Sequence, residues 1–371
     1  MRNSHRPRIS QFRLKNLRNF RRVSSSPPSI PGFLGERVTA ADREKFEKTL
    51  ETVKREGAII STHKTPDADA FGAAFALWQF IRLRGLMSQI DIAVSNRIHL
   101  TDKLVKELEI PCKDWDCFAI SDRRPLILVD VGSADQFQRQ GGDLLLIIDH
   151  HPIGDLSLKA RFTIANENAA SASEMVASLI PLDNLDSYMA LALAAGIVGD
   201  TEKLVRADAE TIGIFSRLLE ISGTTKTKID ELAFPPPDPW TVRLMLREFG
   251  NVRTAIHGKH LIAVAPTNLR IPAIAASAMR DIGVCIAAAL RSENDGLAHR
   301  ISIRVKPELV DAGLDAGRIA RKTAALCLGG GRNVGGGHRG MAGGSLTGSY
   351  EMLSELLIEI IKNELDRVME K

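Results

Sequence analysis

Acidic residues and histidines follow the apolar segments of this 371-residue chain at several places. They come after residues 58–62, at the ends of segments 126–130 and 144–149, and at the end of an alanine-rich helix predicted over 187–198. In chain order they are His63, Asp67, Asp69, Asp130, Asp149, His150, His151 and Asp200. Each alone has a structural explanation, since aspartates often cap helices and turns. Four such motifs in order, each closing an apolar element, indicate one functional site.

The residue types of this set favour divalent metal ions. Carboxylates packed closely repel one another and resist ionising together unless cations lie between them. Four aspartates and two histidines without a thiolate favour Mn²⁺ or Mg²⁺ over structural zinc. Two metals roughly 3.5–4 Å apart can activate a water and stabilise an in-line displacement at phosphorus. We predict a two-metal phosphoesterase with ligands His63, Asp67, Asp69, Asp130, His150 and Asp200.

The apolar segments that precede these residues predict the fold. Leu126–Asp130 and Leu144–Asp149 are continuous apolar runs, which is typical of strands buried on both faces of a parallel sheet. Strands alternate with helical segments over residues 58–200, which predicts a doubly wound, mostly parallel α/β domain. Ligands bind at the carboxyl edge of such sheets, so the acids and histidines should converge there.

A proline-rich segment, 234–240, divides the chain. Consecutive prolines do not continue a helix or a central strand and favour an extended connection. Beyond it, further strand and helix patterns predict a second, smaller α/β domain across a cleft. The predicted division is a basic disordered tail over 1–37, a metal-binding catalytic domain over 38–231, a linker over 232–241 and a substrate-binding domain over 242–371.

Glycines are concentrated in the second domain between residues 329 and 344. Glycine lets a backbone approach a ligand closely, and consecutive N–H groups form anion-binding nests. A flexible surface loop is the alternative. A dinucleotide-binding fingerprint fits worse, because no first strand precedes these glycines and no ribose-binding acid follows them.

These motifs together resemble the DHH phosphoesterase superfamily. The resemblance rests on His-x-x-x-Asp-x-Asp, a strand-end Asp, Asp-His-His and Gly-Asp-Thr in this order. It implies that His63, Asp67 and Asp130 hold one metal, and that Asp130 bridges to a second. It implies that Asp69, His150 and Asp200 complete the second site. His151 would face the substrate phosphate, and Asp149 would orient a ligand.

The C-terminal region is similar to the DHH-associated C-terminal domain. Its substrate-binding motif corresponds to Gly335, Gly336, Gly337 and His338, and its phosphate-contacting arginine to Arg304, at the end of Ser-x-Arg. Arg332 lies in a three-residue insertion that separates two glycine triplets, so this loop is longer than the pattern. Arg332 is also included in the predicted substrate-binding set, although it lies where this sequence departs from the family pattern.

The implied activity is Mn²⁺-dependent hydrolysis of short single-stranded oligonucleotides, as in the nanoRNase and pAp phosphatase group. Phosphate removal from 3′-phosphoadenosine 5′-phosphate is also implied. The alternatives are a cyclic-dinucleotide phosphodiesterase, a RecJ-like DNA exonuclease and a family II pyrophosphatase. From another class, a non-catalytic nucleic-acid-binding protein would keep the fold but would not need the acid cluster.

Composition and charge limit the kinds of binding partner that the sequence allows. Residues 1–35 hold eight of the 49 Lys and Arg and no acid, so the remainder carries 41 basic and 45 acidic residues, a formal charge of −4. The tail is consistent with a nucleic-acid-binding arm, a targeting segment, an early start codon or a neutral disordered extension. No apolar run approaches the ~20 residues of a membrane helix. Four scattered cysteines suit a cytoplasmic protein, and a homodimer stays open.

Overall fold

Two α/β domains, each built on a six-stranded sheet, make up the protein. The computed structural model describes residues 32–86, 89–95, 99–119, 121–137, 142–293, 298–327, 334–337 and 339–369. The predicted tail, up to residue 31, lies outside these ranges. None of the described helices is both long and apolar enough to cross a bilayer.

The sheet of the first domain is entirely parallel, with strand order β3-β2-β1-β4-β5-β6. Its strands are β1 (Ala58–Ser61), β2 (Ile90–Val94), β3 (Cys112–Asp114), β4 (Leu126–Val129), β5 (Leu144–Asp149) and β6 (Phe162–Ala165). The central strand β1 is buried along its whole length. The parallel α/β class predicted from the continuous apolar runs is therefore confirmed, although the short edge strands β3 and β6 were not predicted.

Seven helices are described in the first domain. They are α1 (Ala40–Glu56), α2 (Ala68–Leu83), α3 (His99–Glu107), α4 (Ala172–Leu179), α5 (Ser187–Asp200), α6 (Ala209–Ser222) and α7 (Lys226–Ala233). The largest hydrophobic cluster joins these helices to one face of the sheet, including Ile60 of β1. Ile59 faces the other way, where loops and short 3-10 turns contribute Trp115, Phe137 and Leu156 to a smaller cluster.

The second domain contains a mixed sheet, with strand order β11-β12-β10-β9-β8-β7. Only β8 and β9 pair in parallel among its described strands. The strands are β7 (Arg253–His257), β8 (His260–Thr267), β9 (Ile286–Ser292), β10 (Ala298–Val305), β11 (Val334–Gly337) and β12 (Met341–Thr347). The helices are α8 (Pro239–Glu248), α9 (Pro272–Asp281), α10 (Pro307–Asp311), α11 (Ala316–Leu326) and α12 (Tyr350–Met369). A separate hydrophobic cluster lies between this sheet and the helices α11 and α12.

The proline segment is shorter in the structure than the predicted linker. Helix α7 ends at Ala233, and α8 already begins at Pro239, where Asp238 caps it by accepting hydrogen bonds from the N–H groups of Trp240 and Thr241. Proline is favoured at the first position of a helix, because the amide hydrogen it lacks would have no partner there. The connection therefore spans residues 234–238.

Two further boundaries differ from the sequence-based predictions. The sequence pattern over 202–231 predicts helix, but Glu202, Lys203 and Leu204 all have positive φ and form a turn after α5, so the helical segment begins only with α6. The first domain also begins before Val38. Leu34 and Arg37, within the predicted tail, are both buried against it.

Arg37 ties this N-terminal segment to two helices of the first domain. Its guanidinium donates from Nε to Glu174 Oε1 (3.0 Å) and from Nη2 to Asp208 Oδ1 (2.5 Å). Glu174 is completely buried, and Arg37 is 7% exposed. A buried ion pair is strongly destabilising to break, because the charge that remains has lost its partner.

We therefore expect Arg37→Met to lower the free energy of unfolding by about 3 kcal/mol. The exposed pair Arg161–Asp143 supplies the control, and Arg161→Met should cost less than about 1 kcal/mol. Urea unfolding followed by circular dichroism measures both. Equal effects of the two substitutions would contradict the structural role assigned to the N-terminal segment.

Candidate metal centre

The strand order of the first sheet places the site at its middle. Strands β1 and β4 are neighbours in the sheet, but β1 is followed by β2 on one side and β4 by β5 on the other. This change of direction opens a crevice between them at the carboxyl edge of the sheet. His63 follows β1 and Asp130 follows β4, so both reach this crevice. Asp130 has φ of 59°, a conformation that costs a residue other than glycine about 1–3 kcal/mol. The surrounding structure holds it there.

Asp130 is the common neighbour of the histidines. Its Oδ2 lies 3.4 Å from Nε2 of His63, while its Oδ1 lies 3.5 Å from Nε2 of His150 and 3.6 Å from Nδ1 of His151. The Asp130 side chain is only 4% exposed. One buried carboxylate thus faces two groups of candidate ligands with its two oxygens.

Asp67 and Asp69 are positioned by helix termini. Asp67 caps α2 by accepting hydrogen bonds from the N–H groups of Asp69 and Ala70. Asp67, rather than Asp69, is therefore the N-cap of α2. Asp69 instead accepts hydrogen bonds from the N–H groups of Ala172 (2.7 Å) and Ser173 (2.8 Å) at the start of α4. The N-terminus of a helix favours negative charge, so α4 stabilises this buried carboxylate.

His150 is oriented by its backbone contact. Its Nδ1 lies 3.3 Å from the carbonyl oxygen of Ala169, which favours a proton on Nδ1 and leaves Nε2 as a donor for a metal. Nε2 lies 3.1 Å from Oδ2 of Asp200, at the C-terminal end of α5. Despite that short distance, Nε2 has no hydrogen-bond partner among the described residues. A buried nitrogen that lies 3.1–3.5 Å from two carboxylates without hydrogen-bond geometry fits a metal ligand.

The predicted ligands form overlapping groups whose donor atoms lie within 4.8 Å of one another. His63, Asp67 and Asp130 form one group, and Asp69, His150 and Asp200 form another. Asp130 also groups with His150 and His151, so it lies between the two sets. Its Oδ1 is buried without a hydrogen-bond partner among the described residues. This donor set of oxygens and imidazole nitrogens fits two divalent cations.

The ionisation of the cluster reflects an excess of negative charge. Burial, together with repulsion from Asp200 and Asp130, raises the pKa of Asp67 to about 6 and that of Asp69 well above its usual range. Burial opposes protonation of His150, but Asp130 and Asp200 raise its pKa to about 12. Positive charge is therefore favoured among these carboxylates, and a metal ion would release protons on binding.

Asp149 and His151 form a separate pair beside the cluster. Asp149 is 1% exposed, and its Oδ1 lies 2.8 Å from Nδ1 of His151 and accepts a hydrogen bond from the His151 N–H. The His151 ring packs on that of His150, with centroids 4.3 Å apart. Asp149 thus orients His151, the residue predicted to face the substrate phosphate. That role for His151 stays a prediction.

The predicted substrate-binding residues are only partly described. Arg304 lies on β10, where it donates hydrogen bonds to the hydroxyls of Ser277 and Ser302 and to the carbonyl oxygen of Ile303. Arg332 and His338 lie outside the described residues. The triplet Gly335–Gly337 forms the edge strand β11, paired antiparallel with β12.

Helix α11 packs directly against the backbone of β11. A Cβ at Gly335 would overlap the carbonyl oxygen of Ala320, and one at Gly317 would overlap that of Gly337. Gly337 also has φ of 140°, which disfavours any other residue. Gly335 and Gly337 are therefore required by packing and backbone conformation, whereas Gly336 has open space around it.

Sequence analysis missed the elements that hold Asp69. Helix α4 was not predicted, although Ser171 caps it by accepting from the N–H of Glu174, and Ser-x-x-Glu is a recognisable helix start. Gly196 was also missed. A Cβ there would overlap Ser173 and lie 2.8 Å from Oδ1 of Asp69, so α5 approaches α2 and α4 closely at this point.

Comparisons with protein families identify the class of this chain. Residues 58–197 match the DHH family, N-terminal domain, and residues 260–367 match the DHHA1 domain. The two matches together cover about two thirds of the chain. The chain therefore carries a DHH-family domain, whose family members are phosphoesterases, followed by a DHHA1 domain. The resemblance inferred from the motifs is confirmed.

Individual relatives match at lower similarity. A probable bifunctional oligoribonuclease and PAP phosphatase, NrnA of Streptococcus mutans, is 29% identical over 47% of this chain and 56% of its own length. An uncharacterized protein of Methanocaldococcus jannaschii is 28% identical over 46% of this chain and 53% of its own length. The chain therefore spans about half the length of these relatives. An exopolyphosphatase-related protein of Bacteroides fragilis shares the fold, with TM-score 0.72, 18% identity and coverage of 90% and 98% of the two chains.

We expect Asp130→Asn to abolish binding of both metal ions, because this carboxylate faces both groups of ligands. Metal analysis after dialysis against Mn²⁺ measures the stoichiometry per chain. Asp183→Asn, at an exposed position, is the control and should bind as the wild type does. Two ions retained by Asp130→Asn would contradict the bridging assignment.

Gly196→Ala should remove one ion and leave the other. The added methyl would displace Asp69 from the second site, since the three atoms nearest to it belong to Ser173 and Asp69 and none belongs to His63, Asp67 or Asp130. Overpacking should also lower stability by about 1–3 kcal/mol. Gly213→Ala, in α6 with open space around it, should stabilise by up to about 1 kcal/mol and keep both ions. Unchanged stoichiometry for Gly196→Ala would refute this account of Asp69.

Proposed function

We propose that the protein is a two-metal phosphoesterase that hydrolyses short single-stranded oligonucleotides from one end. The observation that carries this proposal is the position of Asp130, whose two oxygens face separate groups of acids and histidines. Mn²⁺ is the proposed ion, with Mg²⁺ as the alternative, because the donors are oxygens and imidazole nitrogens.

Bound metals would supply Lewis acidity and a nucleophilic hydroxide at neutral pH. His63 and Asp67 would hold one ion, Asp69, His150 and Asp200 the other, and Asp130 both. The chain itself orients these donors through the cap of α2, the N-terminus of α4 and the Ala169 carbonyl. His151, held by Asp149, would donate a hydrogen bond to a non-bridging phosphate oxygen and stabilise its developing charge.

The second domain would hold the nucleotide. Arg304 presents a guanidinium at the end of β10, and the glycine strand β11 presents backbone N–H groups without side chains. His338 and Arg332, which flank β11 in the sequence, complete the proposed set. The supporting arguments are the chemistry of guanidinium, which binds phosphate in a bidentate geometry, and the match of this region to the DHHA1 domain.

Short substrates are proposed because the chain outside its N-terminal tail has a formal charge of −4. Affinity for a long strand depends on neutralising many phosphates, and a net negative charge disfavours binding to so many negative groups. The name of the Streptococcus mutans relative, a probable oligoribonuclease, agrees with a short oligonucleotide as substrate.

The same name favours a second candidate substrate. A PAP phosphatase acts on a nucleotide with a terminal phosphate, and the relative is called bifunctional. The proposed site would bind 3′-phosphoadenosine 5′-phosphate where it binds the terminal nucleotide of an oligonucleotide. Cleavage of a phosphomonoester requires the same two ions and the same orientation of phosphate.

We expect kcat/KM to be at least about tenfold higher for a dinucleotide than for a long single strand, since only a terminal nucleotide and its neighbour are gripped. The measurement compares kcat/KM for labelled RNA and DNA of about two to about thirty nucleotides, with Mn²⁺ and protein lacking residues 1–31. Hydrolysis should vanish with chelator and return with Mn²⁺.

The full-length chain is the control for this comparison. Any extra activity conferred by the basic tail should appear on long strands and decrease as salt increases. Equal efficiency on long DNA without the tail would favour a RecJ-like exonuclease. Activity confined to cyclic dinucleotides or pyrophosphate would exclude oligonucleotide hydrolysis.

A further inference from the structure

A left-handed turn follows the proposed metal ligand Asp200. Glu202, Lys203 and Leu204 have φ of 52°, 64° and 75°, which is an unfavourable conformation for three consecutive residues other than glycine. The Thr201 hydroxyl accepts a hydrogen bond from the Leu204 N–H, and Lys203 N–H donates to the carbonyl of Val198. Local backbone strain of this kind is concentrated at functional positions. The turn determines where the Glu202 side chain lies.

Glu202 reaches from the first domain into the second. Its carboxylate pairs with Arg280, in the last turn of α9, and its Oε1 lies 3.5 Å from the position of a Cβ on Gly340. The Glu202 side chain is 9% exposed and that of Arg280 18%. Among the described helices and strands, none of one domain packs broadly against one of the other. A nearly buried carboxylate therefore lies beside the substrate-binding loop.

Arg280 and Arg304 are neighbours. Ser277 and Arg280 lie three residues apart on α9, hence on one face of the helix, and Arg304 Nε donates to the Ser277 hydroxyl. Burial and the charge of Arg280 lower the pKa of Arg304 to about 10. No carboxylate of a described residue lies within ion-pair distance of Arg304. Arg280 also lies 3.3 Å from Asp281 Oδ1, and Glu202 Oε1 lies 3.7 Å from Nε of Arg206. The three guanidiniums of Arg206, Arg280 and Arg304 therefore face two carboxylates, and the excess positive charge favours a further anion.

We propose that Arg280 is a second phosphate-binding residue, and that the Glu202 carboxylate occupies its guanidinium until a substrate phosphate displaces it. The inference rests on the proposed function in taking the ligand to be a nucleotide phosphate. Together, Arg280 and Arg304 match a terminal phosphomonoester, whose second negative charge an internal phosphodiester lacks. The site would then favour nucleotides that carry a terminal phosphate.

An alternative role for the same ion pair makes a different prediction. If Glu202 and Arg280 only fastened the two domains together, loss of either side chain would weaken binding equally. If Glu202 competes with phosphate, its removal strengthens binding while removal of Arg280 weakens it. The sign of the Glu202→Gln effect therefore separates the two roles.

The first measurement is calorimetric titration of the full chain, in EDTA, with adenosine 5′-monophosphate and with adenosine. Arg280→Gln should raise the Kd for the monophosphate roughly 10- to 100-fold, the range expected for charge-assisted hydrogen bonds, and should leave adenosine binding unchanged. Glu202→Gln should lower the Kd for the monophosphate by roughly 3- to 10-fold. Arg300→Gln, an exposed position on the same strand as Arg304, is the control and should change neither.

The second measurement compares KM for the dinucleotide ApA with and without a 5′-phosphate, in Mn²⁺. Arg280→Gln should raise KM for the phosphorylated form alone, and Arg280→Lys should restore part of the loss. Thermal unfolding checks that each variant folds. An unchanged Kd for the monophosphate in Arg280→Gln, or weaker binding in Glu202→Gln, would overturn the proposal. If neither dinucleotide is hydrolysed but the titrations follow the expected pattern, the anion site stands and the proposed function fails.

Discussion

Repulsion among buried carboxylates is the constraint on which the first domain depends. Asp67, Asp69, Asp130 and Asp200 converge in a crevice, where Asp69 and Asp130 are buried and Asp67 and Asp200 are partly exposed, so little water is left to screen their mutual repulsion. The chain offsets part of this cost with dipoles and hydrogen bonds, from the cap of α2 and the N-terminus of α4. Divalent cations would offset the rest. The strained φ of Asp130 and the close packing at Gly196 serve the same purpose. Both place carboxylates where one cation could bind several of them.

The parallel sheet and the convergence of the candidate ligands could be predicted from the sequence, because both follow from local patterns. Continuous apolar runs such as Leu144–Asp149 indicate strands with two buried faces, and a residue that ends such a strand must lie at the carboxyl edge. The edge strand β3 has one apolar residue in three, and β6 is only four residues long with its apolar residues interrupted by Thr163, so neither gives a continuous apolar run.

The details that hold the site could not be predicted, because they depend on contacts between residues far apart in sequence. Asp69 accepts from amides more than a hundred residues away, and a single sequence contains no record of that pairing. Glu202 and Arg280 are likewise far apart in the sequence, so their pairing leaves no local pattern either. Local propensity also failed at Glu202, where residues that favour helix in isolation adopt a left-handed turn fixed by Thr201.

The glycine strand β11 has an evolutionary consequence. Because α11 lies against its backbone, Gly335 cannot accept a side chain without moving the helix, whatever the strand binds. A descendant that had lost its substrate would therefore still be under selection to keep this glycine for the sake of folding. Glycine at this position in a set of homologues would thus reflect a demand of folding, whereas the proposed phosphate-binding residues Arg280 and Arg304 would be the ones to change once no ligand is bound.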